Sequence, residues 1–236
     1  MTTKENWDRL ADFDALWTVL TDPAKKGGKW DPAEFFATGR VAVDQLMQRL
    51  VSLGISVRRD QALDFGCGVG RLTQGLSHHF RHVVGVDISS SMIAQAEGHN
   101  AAGRPILFVL GNEQNLPLAD GSTDFVFSLI VLQHIPRALQ DLYLGEFLRV
   151  LRPGGVAVFQ IPSRHVQDLG SSFYGEVDTA RGVSRIELHC NPRDEVVALL
   201  AANGGQVLHV EPDTSVGPQF ESYLFFVRKE TSAAGV

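Results

Sequence analysis

Cysteine is scarce in this sequence. Cys67 and Cys190 are the only two among 236 residues, too few for a disulfide framework, and no Cys/His cluster has the spacing of a zinc site. Positive charge is also short: 21 Lys and Arg stand against 27 Asp and Glu, a formal net charge of −6. A nucleic-acid partner needs a basic patch to meet its phosphates, so that class of partner is not expected. No apolar run approaches the ~20 residues that a membrane span requires. The segment 1–10 carries Lys4, Glu5, Asp8 and Arg9 without an apolar stretch, which is not the pattern of a secretory signal. Together these absences describe a chain expected in a reducing cytoplasm, with no resident metal and no membrane. Repeats and low-complexity tracts are lacking as well, and only 231–236 reads as a loose tail.

What is present is a core-forming composition, 44% hydrophobic and 20% charged, enough for one α/β domain. From about residue 60 onward, strand and helix periods alternate. Strands are expected at 61–65, 82–88, 106–111, 125–132, 156–161, 206–211 and 222–228, mostly as continuous apolar runs of the kind covered on both faces. Val43, Leu46, Met47, Leu50 and Val51 form a helical stripe closed by Gly54. Further helices open after Gly70, at the Ser89 cap, at Pro136 and at Asn191-Pro192. Two segments stand outside the sheet. In 4–40, Trp7, Leu10, Phe13, Trp17 and Leu20 share a helical face, followed by a loop with Gly27, Gly28, Trp30 and Pro32, then Phe35 and Phe36. In 163–190 lie His165, Tyr174, Arg181, Arg185 and His189. Long segments at the mouth of an α/β sheet are commonly lids or binding loops.

The decisive stretch is Ala62-Leu63-Asp64-Phe65-Gly66-Cys67-Gly68-Val69-Gly70-Arg71. An apolar strand ends in an acid, a glycine loop follows, and a helix opens. Glycine lets a backbone turn and approach a ligand closely, and ligands of open α/β sheets bind at the carboxyl ends of the strands. A dinucleotide fingerprint would place its third glycine at position 71, where close helix–strand packing needs it; Arg71 stands there instead. The second strand ends in Gly85-Val86-Asp87-Ile88. Asp87 lies about 20 residues past the loop, where an acid accepts hydrogen bonds from ribose hydroxyls.

Four blocks in order make the sequence resemble the class I S-adenosylmethionine-dependent methyltransferases, in particular the small-molecule group called type 11. They are Asp64 to Gly70; Asp87-Ile88; Gly111-Asn112-Glu113 with Leu116-Pro117-Leu118 and Asp124-Phe125; and Leu151-Arg152-Pro153-Gly154-Gly155. The resemblance implies a Rossmann-like three-layer α/β sandwich with a seven-stranded, mostly parallel sheet in the order 3-2-1-4-5-7-6. It divides a single domain into an N-terminal lid at 1–40, a cofactor-binding core at 55–162, a substrate-side insertion at 163–190, and a last helix and strands at 191–230. It further implies that backbone at Gly66, Cys67, Gly68 and Gly70 lines the cofactor and that Asp64 holds its methionine ammonium. Asp87 would take the ribose hydroxyls, Ile88 and Met92 would lie by adenine, and Asn112 with the Glu113 amide would read the adenine edge. Leu129 and Ile130 would face the methionine end.

The cofactor carries its methyl on a sulfonium, so the protein has to place an acceptor in line and exclude water. His134, in Leu132-Gln133-His134-Ile135, is the candidate general base, since an ordinary histidine titrates near neutrality; His165 and His189 are alternatives. Arg40 is a candidate for the cofactor carboxylate, with Phe35 and Phe36 as a cover. Arg71 reads as packing or pairing at the helix start, and Cys67 as a small residue. The expected acceptor is a small molecule, methylated on oxygen or nitrogen. Two other readings compete: a nicotinamide oxidoreductase, disfavoured by Arg71, and a non-catalytic methyltransferase-like partner subunit, disfavoured by retention of the glycine loop and Asp87. A nucleic-acid adenine methyltransferase would carry Asn/Asp-Pro-Pro-aromatic where Leu132-Gln133-His134-Ile135 stands.

Overall fold

The computed structural model describes residues 2–100, 105–179 and 182–231, with Tyr174 described by its backbone alone. Arg181 and the tail beyond Thr231 therefore lie outside the described residues. Among the described residues, nine strands and six α-helices follow one another: α1 (Thr3–Val19), α2 (Pro32–Ser52), β1 (Gln61–Phe65), α3 (Arg71–Leu76), β2 (His82–Asp87), α4 (Ser90–His99), β3 (Ile106–Leu110), β4 (Thr123–Ser128), α5 (Arg137–Val150), β5 (Leu151–His165), β6 (Ser172–Thr179), β7 (Gly182–His189), α6 (Arg193–Ala202), β8 (Gly205–Asp213) and β9 (Phe220–Lys229). Seven strands form a sheet in the order β3-β2-β1-β4-β5-β9-β8, the expected order once β6 and β7 are counted. Those two make a separate two-stranded sheet, so the insertion at 163–190 is largely a hairpin. Within the main sheet β1, β2 and β3 pair in parallel, as do β4 and β5, while β9 runs antiparallel to both β5 and β8.

The chain divides into two compact units: Met1–Asn112 with Glu176–Arg185, and Glu113–Gly175 with Ile186–Val236. In the first, β1 buries Ala62, Leu63, Asp64 and Phe65, as a strand covered on both faces must. In the second, every residue of β4 is buried. The core of the second unit is aromatic: Phe159 stacks on Phe225 at 5.3 Å between ring centroids and meets Phe147 at 6.0 Å, offset contacts that add to simple area burial. β5 begins at Leu151, earlier than the expected 156, because Leu151 already pairs with Thr123; a register shift follows, and Gly154 sits at φ 81°.

The N-terminal segment is organised by its acids. Thr2 and Glu5 form a capping box that starts α1. α1 kinks at Asp14, whose carboxylate accepts hydrogen bonds from the Gly27 and Gly28 amides, both at 2.8 Å. Asp31 caps α2 through the Glu34 amide, with Pro32 at its first position. Ala11, Ala15, Trp30 and Phe35 then form one buried cluster with Val69 of the glycine loop and Met92 of α4.

The sequence division at residue 40 falls inside a helix. α2 runs without a break through Gly39 and Arg40, and the glycine is there for close packing. A Cβ on Gly39 would lie 2.8 Å from Arg71 Cγ and nearer still to the Arg71 carbonyl, while one on Gly75 would lie 2.8 Å from the Gly39 carbonyl oxygen. α2 and α3 thus approach backbone to backbone. Gly39→Val is expected to destabilise the protein by at least about 2 kcal/mol through overpacking, lowering Tm by roughly 5 °C or more. A thermal melt unchanged from wild type would show that α2 and α3 do not meet in this way.

Candidate functional site

In the first unit, β1 and β2 end side by side and the glycine loop turns over their carboxyl ends. Gly66, Gly68 and Gly70 have φ of 73°, 53° and 85°, a region closed to most side chains. At Gly68 the space is closed as well, since a Cβ would lie 2.7 Å from a methyl of Val19 at the end of α1. Four of the loop amides are committed within the chain. Gly66 and Cys67 both donate to the Val86 carbonyl, at 2.8 and 3.0 Å, and Gly70 donates to the Cys67 carbonyl at 2.9 Å. Gly68 donates to Asp87 Oδ2 at 2.8 Å. A pyrophosphate cradle keeps such amides free for its ligand; these four are not free.

Asp87 is the centre of the arrangement. Its second oxygen accepts from the Ser89 amide at 2.8 Å, so one carboxylate ties the glycine loop to the start of α4. Burial raises its pKa, against the hydrogen bonds that Ser89, Gly68 and Ile88 amides provide. Asp64 is buried beside it. Burial pushes its pKa up to about 6, with Asp87 adding to the rise, while the Thr73 hydroxyl at 2.6 Å and the Arg71 charge oppose it. Burial also drives the Cys67 thiol well above its ordinary range, so Cys67 stays a neutral small residue here.

The N-terminal segment closes onto this end of the unit. Asp8 of α1 accepts from Ser89 Oγ at 2.7 Å and from the Ser91 amide at 3.1 Å, and Lys4 reaches both Asp8 and Ser90. The remaining sequence candidates of this unit separate into two groups. Ile88 is half-buried beside Asp87, and Asn112 is exposed just past Gly111, whose amide donates to the Asp87 carbonyl at 2.7 Å. Met92 and Phe35 are instead consumed in the buried cluster of the N-terminal segment, and Phe36 packs on His99 at 5.0 Å. Arg40 is 62% exposed and lies 3.9 Å from Asp44.

The second unit holds the rest. Glu113 is exposed. Leu129 and Ile130 follow the end of β4, and Ile130 takes φ 60°, a strained value for a β-branched residue. Its amide donates to the Gln160 side chain at 3.2 Å, and Gln160 in turn donates to Ser222 at 2.8 Å. His134 Nδ1 lies 2.6 Å from the Glu187 carbonyl, which can only accept, so Nδ1 carries the proton. Nε2 then accepts from Gln133 at 3.2 Å. Burial pulls the His134 pKa down to about 4. The Nδ1 contact fixes the tautomer and ties His134 to the Glu187 strand, leaving the basic lone pair at Nε2. His165 is packed between Phe173 and Phe220, and His189 pairs with Ser172 and Glu187.

Sequence reasoning passed over Asp8, Thr73 and Val19. Their partners are distant along the chain, and only a capping pattern at Ser89 hinted that an acid would be needed there. Among the described residues, no group of His, Cys, Asp and Glu is arranged to hold a metal ion, and no helix is long and apolar enough to cross a membrane.

A family profile for a methyltransferase domain matches residues 63–159, which contain the whole loop, Asp87 and β4. The malonyl-[acyl-carrier protein] O-methyltransferase of Serratia marcescens is 33% identical over 141 residues, 58% of this chain and 52% of that protein. Solved structures agree in fold. An S-adenosylmethionine-dependent methyltransferase from Clostridium acetobutylicum ATCC 824 superposes with a TM-score of 0.64 at 19% identity, over 80% of this chain and 91% of that one. Residues 63–159 thus resemble a methyltransferase domain, and the fold is that of the solved S-adenosylmethionine-dependent methyltransferases. The CcbJ methyltransferase of Streptomyces caelestis superposes over 98% of this chain and 100% of its own, with a TM-score of 0.69 at 18% identity. The chain spans about half the length of the curated relatives it matches.

The His134 geometry has a consequence for stability. An unfolded histidine titrates near 6.5, the folded one near 4. Above about pH 6.5 neither state takes the proton and the contribution is complete; as pH falls toward 4 the unfolded state is favoured and the contribution is lost. Stability measured by denaturant at pH 7.5 and 4.5 is expected to fall more for wild type than for His134→Gln. An equal fall in both proteins would contradict the neutral, hydrogen-bonded His134.

Proposed function

We propose that the protein transfers a methyl group from S-adenosylmethionine to oxygen or nitrogen of a small-molecule acceptor by in-line displacement. The observation that carries the reading is the electrostatic character of the glycine loop. The Gly66, Cys67, Gly68 and Gly70 amides are spent on Val86, Cys67 and Asp87, and two carboxylates, the buried Asp64 and the half-buried Asp87, stand beside the loop. Such a site repels a pyrophosphate and suits a ligand that brings positive charge and hydroxyl donors. S-adenosylmethionine supplies a sulfonium, an ammonium and a ribose diol, and its activated methyl is the group transferred when it is bound.

In this reading Asp87 accepts from the ribose hydroxyls with the lone pairs that Gly68 and Ser89 leave free. Asp64 takes the ammonium, and the glycine backbone lets the ligand lie close to β1. Ile88 and Asn112 of the same unit serve the adenine. The N-terminal segment, seated by Asp8 on Ser89 and by Val19 on Gly68, covers the cofactor and keeps water from it. A relative named as an O-methyltransferase favours oxygen as the acceptor atom. The same loop chemistry speaks against a nicotinamide cofactor.

Calorimetry tests the reading directly. Wild-type protein is expected to bind S-adenosylhomocysteine and not NADH, and Asp87→Ala to weaken that binding at least about 10-fold, the loss of charge-assisted hydrogen bonds. Binding of NADH in preference to S-adenosylhomocysteine would refute it. The pKa of Asp64 gives a second outcome. A cationic ammonium favours the ionised carboxyl, so affinity for S-adenosylhomocysteine is expected to rise with pH through about 6 and then level off. Asp64→Asn should flatten that rise; a rise of the same size in the variant would remove Asp64 from the ligand.

A further inference from the structure

The turn that carries His134 has little of its own to hold it. It is a single turn of 3-10 helix, Leu132–His134, with no side-chain cap at its start, and the hydrogen bonds of such turns have poor geometry. Its entry is fixed by Gln160, which accepts from the amide of the strained Ile130. Its exit is fixed by Gln140 of α5, which is fully buried. Gln140 Nε2 lies 2.9 Å from the Leu132 carbonyl, 2.9 Å from the Ile135 carbonyl and 3.3 Å from the His189 carbonyl. Carbonyls only accept, so the nitrogen of the amide must be the atom that faces all three. The Gln140 side-chain oxygen is buried with no hydrogen-bond partner, which lowers stability. A buried amide kept at that cost calls for a reason, and the reason lies in what its two N–H groups hold together.

Leu132 and Ile135 bracket Gln133 and His134. His189 stands two residues beyond Glu187, whose carbonyl accepts the His134 Nδ1 proton at 2.6 Å. One side chain therefore ties down both sides of that hydrogen bond, the turn that brings the imidazole and the strand that brings the carbonyl. We propose that Gln140 is a positioning residue: by clamping the turn and the end of β7 to α5, it fixes His134 as the Nδ1–H tautomer with its basic lone pair at Nε2. The position calls for glutamine. Glutamate would set oxygens against all three carbonyls, and asparagine is one methylene short of them. Use of the lone pair as a general base rests on the methyl-transfer reading above; the clamp itself does not.

The test reads the imidazole itself. Long-range proton–nitrogen NMR spectra of isotope-labelled protein at about pH 7.5, where an ordinary histidine is neutral, report which ring nitrogen carries the proton; the His134 signals are those missing from His134→Gln. Wild type is expected to show His134 as one species protonated on Nδ1. Gln140→Met keeps the volume and removes the donors, and is expected to lose that single signature, with the proton shared between the two nitrogens. Gln140→Asn keeps the amide on a shorter arm and is expected to lose it in part, which keeps the comparison available if the methionine variant does not fold. Val196→Ala, a truncation buried in α6 of the same unit, lowers stability from another element and is expected to leave the His134 signature unchanged. A single Nδ1–H species in both Gln140 variants would overturn the proposal, as would an equal change in Val196→Ala or a wild-type proton on Nε2. Wild-type protein that fails to bind S-adenosylhomocysteine would overturn the methyl-donor reading and leave the clamp decided by the spectra.

Discussion

The first unit depends on the hydrogen bond from the Gly68 amide to Asp87. That carboxylate is half-buried and would be costly if left alone, but it receives the Gly68 and Ser89 amides at 2.8 Å each. Hydrogen bonds to a charged acceptor contribute roughly 1.5–3 kcal/mol apiece. The loop after β1 is thereby fixed to the end of β2 and to the first turn of α4. Ser89 passes the connection on, because its hydroxyl donates to Asp8 of α1. One chain of contacts, Gly68 to Asp87 to Ser89 to Asp8, joins the glycine loop, the helix cap and the N-terminal segment. In the proposed function the ligand adds to this chain through the same carboxylate, so ligand binding and closure of the N-terminal segment reinforce each other.

The charges around the loop are arranged differently from those of a phosphate site. The amides of Gly66, Cys67, Gly68 and Gly70 are already used within the chain, and the acids Asp64 and Asp87 are both pushed up by desolvation. A ligand that carries positive charge lowers the cost of keeping them ionised. The selectivity proposed here therefore follows from desolvation as much as from contact: each buried charge is expensive until the matching part of the ligand arrives.

Much of this was legible in the amino-acid sequence, and the misses have physical causes. The parallel strands were legible because a strand covered on both faces must be apolar along its length, as in β1 and β4. Asp87 was legible because its distance from the loop is set by one helix and one strand. The continuity of α2 through residue 40 was not legible, because the contact of Gly39 with Arg71 is visible only with α3 in place. The hairpin of β6 and β7 carries too few buried residues, among them Val177 and Ser184, to show a clear period. The tautomer of His134 was not legible, because it is set by the Glu187 carbonyl 53 residues away.

The most direct measurement is a crystal structure with S-adenosylhomocysteine bound. The account expects both ribose hydroxyls within hydrogen-bond distance of the Asp87 carboxylate, with the Gly68 amide still donating to it. A ligand seated away from the loop, or an Asp87 that makes no contact with the ribose, would contradict it.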